Sequence, residues 1–90
     1  MEFHVFQCKA DRDFFVVTDG EHVEACMKNP DATPTPGDEL ESVGVFGEMG
    51  RTRAAFDEAF AKHCIAKYGY YRFHSKTYDP VAQAPMAMPG

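Results

Sequence analysis

The chain reads as an α+β domain: a four-stranded, mainly antiparallel sheet in the order β-β-β-α-β, with one long helix packed on one face. Three observations predict it. Two short Phe- and Val-rich segments at the start are joined by a polar link of hairpin length. A helical periodicity runs from Arg51 to Tyr68 and stops at Gly69. An aromatic and basic stretch directly after it alternates with a strand's period of two.

Glu2 to Cys8 and Asp13 to Asp19, separated by Lys9-Ala10-Asp11-Arg12, are expected to form an antiparallel hairpin. Phe14-Phe15-Val16-Val17 is continuously apolar, which places the second strand centrally, covered on both faces. Something besides the long helix must then cover its second face. Gly20 to Lys28 holds two possible helical turns with Val23, Cys26 and Met27 on one side. From Asn29 to Asp38, the residues Pro30, Pro34, Pro36 and Gly37 predict a surface loop without regular structure. Leu40 to Phe46 reads as a third strand in which Gly44 marks a bulge or the close approach of another backbone.

Helical phase places Ala55, Phe56, Ala59, Phe60, His63 and Ala66 on one stripe, expected against the sheet. Ala54, Ala61, Ile65 and Tyr68 form a second strip on roughly the opposite side, which calls for a second partner: the loop of the 30s, the tail, or another copy of the chain. Gly69 suits the left-handed cap of this helix. The following strand is expected to turn Tyr71 and Phe73 inward, and Tyr70, Arg72, His74, Lys76 and Tyr78 outward, because the reverse would bury cations without partners. Residues 1–80 are expected to form a single domain and 81–90 a disordered tail of Pro, Ala and Met.

Net charge is -5, unevenly spread: residues 1–50 carry eleven acids and three bases, and residues 51–78 two acids and six bases. The two halves can neutralise each other within one fold or mediate self-association. No apolar run approaches the ~18 residues that span a bilayer, and the amino terminus does not read as a leader, so a cytoplasmic protein without membrane contact is expected. Cys8, Cys26 and Cys64 are an odd, widely spaced set that suggests reduced thiols.

No cofactor is expected, and no metal site, since His4, His22, His63 and His74 lack ligand spacing with each other or with the cysteines. His63 and Cys64 are adjacent, so a helix splays them 100° apart and they make no dyad. Arg51 and Arg53, after a glycine-rich turn from Gly44 to Gly50, are candidate anion-binding residues, although the P-loop ending is missing and Glu48 opposes an anion. The Tyr70 to Tyr78 face could stack single-stranded nucleic acid, but a pI near 5.2 counts against it. The leading expectation is a non-enzymatic protein-interaction or self-associating module, with a homodimer or a protein partner in view. Its contact surface is drawn from Ile65, Tyr68, Tyr70, Arg72, His74, Lys76 and Tyr78. Single-stranded nucleic-acid binding and a small anion-binding enzyme are the alternatives.

Overall fold

The computed structural model describes residues 2–33, 38–47 and 57–76. Four strands, β1 (Glu2–Cys8), β2 (Phe14–Thr18), β3 (Leu40–Gly47) and β4 (Tyr71–His74), form one antiparallel sheet in the spatial order β3-β1-β2-β4. Two helices, α1 (Val23–Lys28) and α2 (Glu58–Tyr68), pack on opposite faces of it. The expected fold class is the one observed.

β1 and β2 pair as the predicted hairpin, with His4 opposite Thr18 and Gln7 opposite Phe15. Asp11 closes the link: its carbonyl accepts from Phe14 N at 3.1 Å and its carboxylate from Asp13 N at 3.1 Å. Every residue of β2 is buried, as its continuous apolar run foretold. Phe3, Val5, Phe15, Val17, Ala61 and Ile65 make the core under α2, with Phe46, Tyr71 and Phe73 packed against it. Phe6, Cys8, Phe14, Val16, Cys26 and Ala32 make a second core on the other face, under α1 and a short 3-10 turn at Pro30–Ala32. That turn corrects the expectation of a structureless loop after Asn29. Pro30 supplies a fixed φ at its first position, and the Asn29 side chain accepts from Asp31 N at 2.9 Å.

Gly44 does mark a bulge. Val5 lies opposite Gly44 and Phe6 opposite Ser42, leaving Val43 as the extra residue. The extra residue exchanges the faces of β3, so Leu40 joins the α1 core while Phe46 joins the α2 core. Gly44 has φ 141°, and a Cβ there would stand 2.7 Å from Phe46 Cζ, so the ring lies where a side chain would be.

The helix differs from expectation in start and in phase. Asp57 is extended (φ -87°, ψ 122°) and caps α2, its carboxylate accepting from Ala59 N at 2.8 Å and Phe60 N at 3.4 Å, so the helix begins at Glu58. Ala54, Ala55 and Phe56, placed on the helix above, lie outside the described residues. Glu58, Ala61, Cys64 and Ile65 are the buried positions, whereas Ala59, Phe60, His63 and Ala66 are exposed. Ala61 and Ile65, of the strip expected to face a partner, therefore face the sheet instead, while Tyr68 of the same strip stays exposed. Volume explains the choice: the sheet already offers Phe3, Phe15, Phe46, Tyr71 and Phe73, and small or narrow Ala61, Cys64 and Ile65 let the helix approach those rings.

Gly69, at φ 91°, ends α2 in the left-handed region, and its N donates to Ile65 O at 2.8 Å. Buried Thr18 Oγ1 donates to Gly69 O at 2.7 Å, tying this corner to β2. β4 follows at once with Tyr71 and Phe73 on the α2 face, as predicted, but it spans only Tyr71–His74. Ser75 and Lys76 lie beyond the strand, and Tyr78 and the tail fall outside the described residues. No helix among the described residues is long and apolar enough to cross a membrane.

Candidate functional site

The Gly69 corner sets the end of α2 beside the start of β4, and between them runs a groove of about 370 Å³. Phe60, Cys64, Tyr68, Tyr70, Tyr71 and Arg72 line it. Because α2 turns its small residues inward, two of its large apolar side chains are left outside: Phe60 is 53% exposed and Tyr68 60%. Phe60 meets the edge of Tyr71 at a centroid distance of 5.5 Å and an interplanar angle of 83°. Tyr71 stacks on Phe73 at 5.6 Å, and Phe73 on Phe15 at 5.4 Å, so a ladder of rings links the groove to the core. Lys67 Nζ stands 5.3 Å above the Tyr68 ring.

Burial, followed by the charges that Cys64 and Asp57 can carry, pushes the Tyr71 hydroxyl above its ordinary pKa. It stays a neutral phenol at physiological pH. Cys64 is 8% exposed and packs as a small hydrophobe, while the neighbouring His63 is on the exposed side. The splay predicted for this pair is observed.

Of the residues named from sequence, Tyr68, Tyr70 and Arg72 converge on the groove. His74 and Lys76 continue along the exposed side of the same segment. Ile65 is 1% exposed in the core and is not on this surface. Arg51, Arg53 and Tyr78 lie outside the described residues. Phe60, Cys64 and Tyr71 were missed as groove residues. Phe60 was missed because periodicity offered two apolar strips on α2 and the strip with Ala61 and Ile65, rather than the one with Phe60, meets the sheet.

Two basic side chains of β4 are already engaged. Arg72 Nη1 donates to Asp31 O, and His74 Nε2 lies 2.7 Å from Asp11 Oδ2. The bond from His74 comes first, with Asp13 N and the His74 charge adding to it, in holding the Asp11 carboxyl below the usual carboxylate range. Arg12 pairs with Glu41 and Lys9 with Glu39, both within the acidic first half, while His74 with Asp11 joins the two halves. Surface pairs of this kind contribute about 0 to 1 kcal/mol each and mainly set orientation.

Elsewhere, Asp19, Glu21 and His22 hold potential ligand atoms within 4.8 Å of one another. A contact internal to the cluster accounts for that closeness: Asp19 Oδ1 lies 2.7 Å from His22 Nδ1 and accepts from His22 N at 2.9 Å. Burial alone would raise the Asp19 carboxyl, but these bonds together outweigh it and hold the group below its ordinary value. A second recess of about 360 Å³ lies between α1, the 3-10 turn and the start of β3, with Cys26 at its wall. Burial pushes the Cys26 thiol up to about 11, which leaves it a packing residue rather than a nucleophile. Comparison of the chain with known protein families, with curated proteins and with solved structures finds no match.

Proposed function

We propose that this domain is a non-enzymatic protein-interaction or self-associating module whose contact surface is the groove between α2 and β4. One observation carries the reading: Phe60 and Tyr68, each more than half exposed, flank a single recess floored by Tyr71 and backed by the core. Large rings held rigidly at a surface lose little entropy when covered, which is why aromatic residues and Arg dominate the energetics of protein interfaces. An isolated exposed ring needs no explanation, but two from one helix beside two tyrosines of the next segment make a patch. The net charge of -5 favours protein contact over nucleic acid, since a polyanion gains most from a broadly positive surface.

Light scattering at micromolar concentration and pull-down with the full chain test the proposal. Association is expected, and Phe60→Ala with Tyr68→Ala should weaken it by roughly 30-fold or more, in line with about 2 kcal/mol for an aromatic anchor. Val45→Ser, at an exposed position of β3, should leave it unchanged. A monomer that captures no partner would overturn the proposal.

A further inference from the structure

We infer that the open edge of β4 accepts an extended segment of a partner protein, with acidic and apolar residues in alternation, as an added strand of the sheet. The inference rests on the contact reading above and goes beyond it in naming the binding mode and the chemistry of the partner.

The hydrogen-bond ladder sets the mode. Ser75 N donates to Asp13 O at 2.8 Å, which makes that pair a hydrogen-bonded one. Bonded and non-bonded pairs alternate in an antiparallel ladder, and Phe73 lies opposite Phe15 and Arg72 opposite Val16. Phe73 and Tyr71 therefore direct their backbone groups at β2, while Arg72 and His74 direct theirs away from the sheet. β4 is an edge of the sheet, and its only strand neighbour among the described residues is β2. Two N–H and two C=O groups consequently line an edge that runs directly along the groove. A helix beside an open edge strand is the arrangement in which an extended peptide gains main-chain bonds from the strand and side-chain contacts from the helix. The opposite edge, β3, is a poorer acceptor because the bulge at Val43 breaks its regular spacing.

The two faces of β4 set the chemistry. Side chains of an added strand that point to the α2 face would meet Phe60, Tyr68 and Tyr71, so apolar residues fit there. The alternate side chains would lie on the other face beside Arg72, whose guanidinium donates to the neutral Asp31 carbonyl and so keeps its charge, and acidic residues fit there. Residues 57–76 carry four Lys or Arg against two acids, one of which, Glu58, is buried, whereas the other described residues carry ten acids and three bases. Charge argues against a second copy pairing β4 on β4 in the antiparallel register that sets Arg72 against another Arg72. It argues for a partner segment that brings the acid.

Amide hydrogen exchange on the labelled full chain tests this, using a short peptide in which Glu alternates with Val and a control in which Lys alternates with Val. The Glu peptide should slow exchange at the Arg72 and His74 amides by about tenfold or more when near saturation, and leave Tyr71 and Phe73, already bonded, unchanged. Its binding should weaken with salt and fall by about tenfold or more in Arg72→Glu, with unaltered Phe73 protection showing that the sheet is intact. Binding in the groove without protection of Arg72 and His74 would overturn strand addition and leave the contact reading standing. Equal binding of the Lys peptide would overturn the acidic chemistry. Concentration-dependent protection of the same amides in the chain alone would make the occupant a second copy and overturn the partner assignment. No effect of either peptide would overturn the inference, while the Phe60 and Tyr68 pull-down would separately decide the contact reading.

Discussion

Gly44, Asp57 and Asp11 each hold a local geometry that a single substitution exposes. At Gly44 an added methyl group meets the Phe46 ring at 2.7 Å with φ at 141°, so Gly44→Ala should cost about 1 to 3 kcal/mol in urea unfolding, with the loss reduced when Phe46 is also shortened. Asp57→Ala removes an acceptor from two α2 amides and should cost about 1 kcal/mol in the same assay. Asp11 and Asp19 both have carboxyls lowered by histidine-centred bonds, so the stabilisation they give is complete above the ordinary carboxylate pKa of about 4. It is lost as pH falls through their lowered folded values. Replacing both by Asn should flatten the acid limb of a plot of urea midpoint against pH. An unchanged slope would contradict the role given to these bonds.

The elements differ in how openly the chain displays them. β1, β2 and the Gly69 cap were legible because each rests on a local rule: apolar runs broken by a polar link, and a glycine where φ must be positive. The phase of α2 was not, because periodicity offered two apolar strips and the decision between them is made by volume across the interface. Five large rings on the sheet side select Ala61 and Ile65 over Phe60. Ile65→Ala should therefore cost about 2 to 5 kcal/mol, and Phe60→Ala only about 1 kcal/mol from its edge contact with Tyr71. A larger loss from Phe60→Ala than from Ile65→Ala would contradict the observed phase. The length of β4 was also overread: aromatic and basic residues alternate to Tyr78, but the described strand stops at His74, where Phe14 is the last residue of β2 to pair with it.

At the scale of the molecule, the described residues form a sheet covered on both faces, with an exposed α2 flank beside the β4 edge. Alternation in the 70s predicted that Arg72 and His74 are exposed, but Tyr70, expected outward with them, is half-buried and packs against the second core because α1 covers that face of the sheet. Alternation could not bring in Phe60, whose place depends on the helix docking by its other side. The first half holds β4 through the Asp31 main-chain carbonyl, which accepts from Arg72, and the Asp11 carboxylate beside His74, which steadies the strand as a platform for contact. The central claim is that association covers the groove between α2 and β4. Two-dimensional NMR of the labelled chain, recorded as association proceeds, tests it most directly by mapping which residues change environment. The account predicts changes centred on Phe60, Tyr68, Tyr70 and Arg72, with Met27 and Val45, the exposed apolar residues elsewhere, unaffected. Changes centred on Met27 or Val45, with the groove silent, would contradict it.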